Sequence, residues 1–311
     1  MEKIQEVEYC EMIDDLTGYT IYTDDAEIYD TNNNLMFHYL RRAVPLLSFN
    51  ELNTCSKLSK LSRTRGLSAG KPNYSLEYYK SYKNGKPAPA REIVETKGKN
   101  YMIMKGSVKE DGGRSMEVNN PVHSSAVGLY AKTNSSNLSN KEGVRRCGAS
   151  SKQLDTLTDL VQNTDKAFEL AQPEAWMKQF MQASSHENLY DTSFTTITVN
   201  KNFRTAVHKD KGNVEGFLSS MIVASQGSYH GSYLLFPEYK IGVDIRDGDI
   251  IIFNPQLKHC NSVMYETDED KKYNEFLELK PTLVNGNPYI AGDEFSAKRY
   301  SLVFYQRSGF L

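Results

Sequence analysis

His208 and Asp210 stand two residues apart at the end of the stretch TTITVNKNFRTAVHKDKG, residues 195–212. The stretch alternates and branches at Cβ as a strand does, and in a strand side chains two apart share one face. The pair is therefore expected to converge on one point while Lys209 turns away. A neutral imidazole and a carboxylate meeting in this way supply two of the three ligands of a facial triad, which holds non-haem Fe(II) and leaves positions open for a co-substrate and O2. An isolated His-x-Asp also occurs on surface turns, so the pattern that follows it carries the weight.

Downstream runs GSYLLFPEYKIGVDIRDGDIIIFNPQLKHCNSV, residues 231–263, which reads as strands at 232–236 and 250–253 around an Asp247-Gly248-Asp249 turn. His259 follows the second strand, where the rim of a barrel would place it, and is the candidate third ligand. The last apolar run is RYSLVFYQR, residues 299–307. Period two puts Arg299, Ser301, Val303 and Tyr305 on one face. An Arg and a Ser on a shared face can hold a carboxylate, the Arg as a bidentate fork and the Ser through its hydroxyl, which is the chemistry that anchors the far carboxylate of 2-oxoglutarate. The alternative is that Arg299 caps a strand and Arg307 pairs with an exposed acid.

The order His-x-Asp, distal His, Arg-x-Ser resembles the 2-oxoglutarate- and Fe(II)-dependent dioxygenases of the double-stranded β-helix fold. FTTITVNKNFRTAVHKDKG, GSYLLFPEYKIGVDIRDGDIIIFNP and RYSLVFYQR are similar, within them, to the thymine and 5-methylcytosine dioxygenases, the base J-binding-protein and ten-eleven-translocation (TET/JBP) group, of phage or viral type. The resemblance is strongest over residues 195–307 and extends upstream to SRTRGLSAG, VHSSAVGLYA and RRCGAS. The chain departs from the pattern in the forty residues between His259 and Arg299, longer than the family core needs.

The resemblance implies an α+β fold with a double-stranded β-helix (jelly-roll, cupin-like) core buttressed by helices. It implies Fe(II) on His208, Asp210 and His259, and 2-oxoglutarate anchored by Arg299 and Ser301. With O2 as second co-substrate, the C5-methyl group of thymine or 5-methylcytosine in DNA would be hydroxylated, with succinate and CO2 as co-products. A base in a duplex would have to be flipped out to reach such a site. Asn200, Asn202 and Tyr233 are candidates for lining the substrate pocket. Two other classes stay open: a hydroxylase of a protein side chain or free amino acid, since the same iron core serves many substrates, and a binding module without turnover.

Charge is unevenly spread along the chain. Residues 1–56 hold eleven Asp and Glu against three Lys and Arg, and read as scaffold with exposed turns at Asp24-Asp25 and 32–34 and a helix over 35–47. Residues 57–105 reverse the balance, with twelve Lys and Arg against three Glu, interleaved with Tyr74, Tyr78, Tyr79, Tyr82 and Tyr101. Cations beside aromatic rings suit a phosphate backbone and stacked bases, with steep salt dependence, and equally suit a solvated basic loop. A strand or short helix is expected near 122–131, and Arg145 and Arg146 add positive charge before the barrel. Helical spacing over 153–181 is interrupted at Pro173, which marks the start of a second helix, with Trp176 in the core. The charged segment 266–280 reads as a rim helix, a lid, a substrate-facing arm or a decorated loop.

At 311 residues and 39% hydrophobic content the chain is long enough for one large domain. The expected organisation is one continuous catalytic domain, in which residues 1–150 pack on and extend a dioxygenase core at 151–311. Cys10, Cys55, Cys147 and Cys260 are too scattered for a zinc site or a disulfide framework. They read as free thiols, with Cys260 exposed to oxidation beside His259. No stretch reads as a membrane span or a secretory signal, so an intracellular location is expected, in the cytoplasm of a bacterial or virus-infected cell or in a nucleus.

Overall fold

The computed structural model describes residues 11–62, 65–70, 73, 75–80, 91–96, 99–104, 117–118, 120–131, 144–147, 151–185 and 188–308. Two sheets build the core. The larger has nine strands, hydrogen-bonded in the order Ala26–Tyr29, Leu35–Leu40, Ile250–Phe253, Ser219–Gln226, Lys298–Tyr305, Thr196–Lys201, Val122–Ala131 and Leu61–Ser62, with Val144–Cys147 also paired to Val122–Ala131. The smaller has the order Thr20–Tyr22, Ile241–Val243, Leu234–Phe236 and Cys260–Asn261. Segments from the N-terminal half thus hydrogen-bond into both sheets.

The two faces of the large sheet have different chemistry, and period two sorts them. Ile197, Val199, Ile222, Ile250, Ile252, Tyr300, Leu302 and Phe304 turn to one side and pack with Leu160, Val161 and Phe168 of the helix Thr158–Ala171. Met221, Val223, Ile251 and Phe253 turn to the other side and meet Leu234, Phe236 and Val243 of the small sheet. A sheet covered on both faces needs near-continuous apolar strands, and Ile250–Phe253, with the sequence IIIF, is buried throughout. The helix pair falls where the sequence places it: Pro173 opens the second helix, Pro173–Ser184, at a position where its missing N–H costs nothing. Trp176 stacks on Phe180 with ring centroids 4.8 Å apart and donates to Asp165, so it belongs to the packed helix face.

Three sequence expectations are corrected. Residues 35–40 form a strand, not the start of a helix, because Phe37, His38, Tyr39 and Leu40 pair with the four residues Phe253, Ile252, Ile251 and Ile250 of the central strand. Pairing against a wholly apolar neighbour outweighs local helical spacing. The strand before His208 stops at Lys201, since Asn202 adopts a left-handed φ of 47°. His208 itself pairs across to the small sheet. In the basic stretch, Tyr78 is buried against Tyr289 and Ile290, so it is a core residue and not a stacking platform. Tyr74 and Tyr82, and the side chains of Tyr79, Tyr101, Arg145 and Arg146, lie outside the described residues.

The Asp247-Gly248-Asp249 turn is present, with Gly248 at φ 85°. Asp249, 3% exposed, closes it by accepting from the Arg246 N–H at 2.9 Å, the Arg42 N–H at 3.0 Å and the Tyr39 hydroxyl at 2.7 Å. Replacing Asp249 with Ala leaves the Arg246 and Arg42 N–H groups unpaired, while the Tyr39 hydroxyl keeps the Asp244 carbonyl at 3.0 Å, which should cost roughly 2–4 kcal/mol. Urea unfolding of Asp249→Ala measures this, and a loss below about 0.5 kcal/mol would show that the turn is held by other contacts.

Candidate active site

His208 and His259 face each other across the edge of the small sheet as an isolated antiparallel bridge. The His208 N–H donates to the His259 carbonyl at 3.0 Å, and the His259 N–H donates back to the His208 carbonyl at 2.9 Å. Asp210 lies just beyond, its N–H bonded to the Pro255 carbonyl at 3.0 Å. Its carboxylate stands 3.5 Å from His208 Nε2 and 3.6 Å from His259 Nε2. One candidate ligand atom from each residue lies within 4.8 Å of the other two. The expected convergence is therefore present, but a cross-loop bridge produces it and not the continuous strand inferred from the sequence.

Both imidazoles are oriented by backbone. His208 Nδ1 is 2.7 Å from the Ala206 carbonyl, and His259 Nδ1 is 2.9 Å from the Leu257 carbonyl. A carbonyl only accepts, so each Nδ1 carries a proton and each Nε2 is the ring nitrogen that faces Asp210. Burial, reinforced by the neighbouring His208, lowers the pKa of His259 to about 4, so it is neutral at pH 7. Burial opposes ionisation of Asp210, but the hydrogen bond from His208 and the charges of His259, His208 and Arg65 outweigh it and hold the carboxyl below its usual range. Two imidazole nitrogens and one carboxylate on a common point are the donor set that suits divalent iron. Second-sphere carbonyls that fix the imidazole tautomer are what a metal-binding histidine needs.

The triad opens into a cavity of about 260 Å³ between the sheets, lined also by Arg65, Ser124, Thr198, Asn200, Asn213, Ser301, Tyr305 and Arg307. Thr198, Asn200, Ser301 and Tyr305 come from the inner faces of the paired strands Thr196–Lys201 and Lys298–Tyr305. Asn200 accepts from the Ser124 hydroxyl and donates from Nδ2 to Ser301 Oγ at 3.2 Å. Ser301 Oγ therefore receives a hydrogen bond and keeps its own proton free to donate. Arg299 belongs to the same face of its strand by period two and is only 3% exposed. Its Nε and Nη2 are buried without a hydrogen-bond partner. A buried guanidinium with unpaired donors is costly unless an anion meets it, so this side chain fits the carboxylate of a small dianion.

Arg299 itself is not among the residues that line the cavity, and the remaining sequence candidates also sit elsewhere. Asn202 does not line the triad cavity: its amide is engaged by the Gly292 and Ala297 carbonyls and the Arg299 N–H. Tyr233 packs against the cluster of Val207, Leu235 and Cys260 on the other side of the small sheet. Cys260 is in that cluster and fully buried, and burial pushes its thiol up to about 12. Its thiolate is thus suppressed, contrary to the expected oxidation sensitivity. Thr198 and Tyr305 were recoverable from strand parity. Arg65, Asn213 and Arg307 carry no spacing signal, because they reach the cavity from loops and a strand end.

The family described as the oxygenase domain of the 2OGFeDO superfamily, Tet_JBP, matches residues 133–308, more than half of the chain. The chain belongs to this family of 2-oxoglutarate- and Fe(II)-dependent oxygenases, and membership implies Fe(II), 2-oxoglutarate and O2. It is 33% identical over 110 residues to the bifunctional helicase and thymine dioxygenase JBP2 of Trypanosoma brucei brucei, covering 35% of this chain and 10% of that one. It is 29% identical over 111 residues to the thymine dioxygenase JBP1 of Crithidia fasciculata, covering 36% and 14%. The matched region spans about a tenth of the length of the JBP2 relatives. Among solved structures, NgTET1 in complex with 5mC DNA is similar over 94% of this chain and 84% of that one, at 12% identity and a TM-score of 0.46. Among the described residues no helix is long and apolar enough to cross a membrane.

If the three side chains form one metal site, Asp210→Ala removes its only charge. Binding of Fe(II), or of Mn(II) as a redox-silent probe, should weaken at least about a hundred-fold, while the circular dichroism spectrum stays that of the parent. Parent-like metal affinity in Asp210→Ala would exclude this arrangement.

Proposed function

We propose that the chain hydroxylates the C5-methyl group of a pyrimidine, thymine or 5-methylcytosine, in DNA, with Fe(II), 2-oxoglutarate and O2. The observation that carries the reading is the cavity itself, which holds the His208, Asp210, His259 cluster and Ser301 on facing walls. The substrate class is supported by the two relatives whose names record thymine dioxygenase activity. Bound iron supplies the activation of O2 that couples oxidative decarboxylation of 2-oxoglutarate, to succinate and CO2, to insertion of one oxygen atom into a substrate C–H bond.

The protein's own contribution is positional. His208, Asp210 and His259 would hold the metal and leave it positions for co-substrates. Arg299, with Ser301 donating beside it, would fix the distal carboxylate of 2-oxoglutarate and so set where its keto-acid end lies. Phe253 packs edge-on against His259 with centroids 5.4 Å apart, and Met221 and Val303 also line the cavity, which keeps that wall apolar. A base stacked in a duplex cannot enter such a cavity, so the nucleotide must be flipped, at a cost of a few kcal/mol. Arg65, from the basic stretch, lines the same cavity and brings positive charge to the side a phosphate backbone would approach.

Incubation with Fe(II), 2-oxoglutarate, ascorbate and DNA containing thymine or 5-methylcytosine, followed by digestion to nucleosides and mass spectrometry, tests the reading. A hydroxymethyl pyrimidine formed in proportion to succinate is the expected product. Succinate formation stimulated by peptides or amino acids, with unmodified DNA, would instead favour an amino-acid or protein hydroxylase.

The same assay separates the two arginines of the last strand and its end. Arg299→Ala should raise the KM for 2-oxoglutarate roughly ten- to a hundred-fold, the loss of a charge-assisted bond in a dry site, and Arg307→Ala much less. The reverse order would move the co-substrate anchor to Arg307.

A further inference from the structure

We infer that Asn202 is a positioning residue for Arg299, coupling the co-substrate anchor to the inserted segment between His259 and the last strand. The inference rests on the assignment of Arg299 to 2-oxoglutarate and names what holds that side chain in place. Asn202 Oδ1 accepts the Arg299 N–H at 2.7 Å, and the Asn202 N–H donates to the Arg299 carbonyl at 2.9 Å. Its Nδ2 donates to the Gly292 carbonyl at 3.0 Å and the Ala297 carbonyl at 2.9 Å. Both amide protons are committed, so this 7% exposed side chain has no donor left for a ligand. It is instead the junction where the strand Thr196–Lys201, the start of the strand Lys298–Tyr305 and the insertion meet.

Two conformational features show that the junction is built for this residue. Asn202 sits at φ 47°, a left-handed conformation that Asn tolerates better than most residues. Gly292 sits at φ 94°, and a Cβ there would lie 2.3 Å from the Asn202 carbonyl oxygen. The insertion therefore presses its backbone directly onto Asn202. It is anchored on both sides: Glu266 accepts the Ala297 N–H at 2.7 Å, and Lys298 Nζ donates to the Lys280 and Phe295 carbonyls at 2.8 and 3.0 Å.

The physical consequence concerns register. Arg299 is the second residue of its strand, next to the point where the insertion re-enters the sheet. On one flank its strand is paired with Ser219–Gln226 as far as Lys298, and on the other flank the ladder ends at Lys201–Tyr300, leaving Asn202 as the partner of the Arg299 main chain. Without the Asn202 amide, that flank keeps only the bond from the Asn202 N–H to the Arg299 carbonyl and loses its tie to the insertion, and a small shift at Cα moves the guanidinium by a comparable amount. Misplacement by about an ångström is enough to degrade a bidentate carboxylate contact. The forty-residue spacing that sets this chain apart from a minimal core is thereby reconciled with a fixed anchor, because Asn202 clamps the end of the insertion to the strand that precedes His208.

The test measures 2-oxoglutarate binding by calorimetry with Mn(II) in place of iron, alongside steady-state kinetics and amide hydrogen exchange. Asn202→Gly removes the amide without straining φ, and Gly292→Ala displaces the same junction from the insertion side. Both should weaken 2-oxoglutarate binding about ten-fold while Mn(II) affinity stays at the parent value, raise KM with kcat changed less than about two-fold, and speed exchange of the Arg299 N–H. Asn202→Asp keeps the acceptor for that N–H but turns its second oxygen on the Gly292 and Ala297 carbonyls, so it should fail to restore the affinity lost in Asn202→Gly. Parent-like 2-oxoglutarate affinity in Asn202→Gly and Gly292→Ala, with Arg299→Ala weakened, would overturn the positioning role alone. Parent-like affinity in Arg299→Ala as well would overturn the assignment of the anchor on which it rests.

Discussion

Two backbone hydrogen bonds, exchanged between His208 and His259 at 3.0 and 2.9 Å, set the distance on which the candidate chemistry depends. They join a loop leaving the large sheet to the edge of the small one, so the two imidazoles arrive with ring centroids 4.4 Å apart. Asp210 then needs only one further backbone bond, to Pro255, to complete the cluster. Because the bridge is main chain to main chain, it tolerates substitution of either side chain. Metal ligation and folding are thereby separable, a condition for reading ligand variants as chemistry.

The large sheet serves the site by dividing its labour between faces. On the helix side the inward positions are mostly apolar, with Ser220 a buried exception, and Phe194, Phe304 and Phe168 pack there in contact. On the inner side the same strands carry Thr198, Asn200, Ser301 and Tyr305 among Met221, Phe253 and Val303, all lining the cavity, and Arg299 shares the face of Ser301 by strand parity without lining it. Polar groups inside a barrel are tolerable only when bonded to one another or to a ligand. The Ser124, Asn200, Ser301 chain satisfies the first condition, and Arg299, with two unpaired buried nitrogens, points to the second.

Much of this was legible in the sequence because it follows from period two. The shared face of Arg299, Ser301 and Tyr305 and the apolar Ile250–Phe253 are consequences of alternation or of burial on both faces, while 122–131 read as a strand or a short helix and is a strand. The three triad residues were also named correctly as a converging set, although the reason was different: the strand ends at Lys201, and a long-range bridge does the rest. What failed depended on partners distant in sequence. Residues 35–40 look helical until their neighbour Ile250–Phe253 is known, and Tyr78 looks like a stacking platform until Tyr289 covers it. Asn202 was a candidate for the substrate pocket, but its φ is left-handed and its amide is bonded to the insertion.

The account stands or falls on two anchors acting on one small molecule: a metal on the His208–His259 bridge and a carboxylate on Arg299. A crystal structure grown without oxygen, with Fe(II) and 2-oxoglutarate, addresses both at once. The account predicts the metal bound by Nε2 of His208, a carboxylate oxygen of Asp210 and Nε2 of His259, with the far carboxylate of 2-oxoglutarate on Arg299 and Ser301. A metal bound elsewhere, or a 2-oxoglutarate whose far carboxylate lies on Arg65 or Arg307 with Arg299 still unpaired, would contradict it.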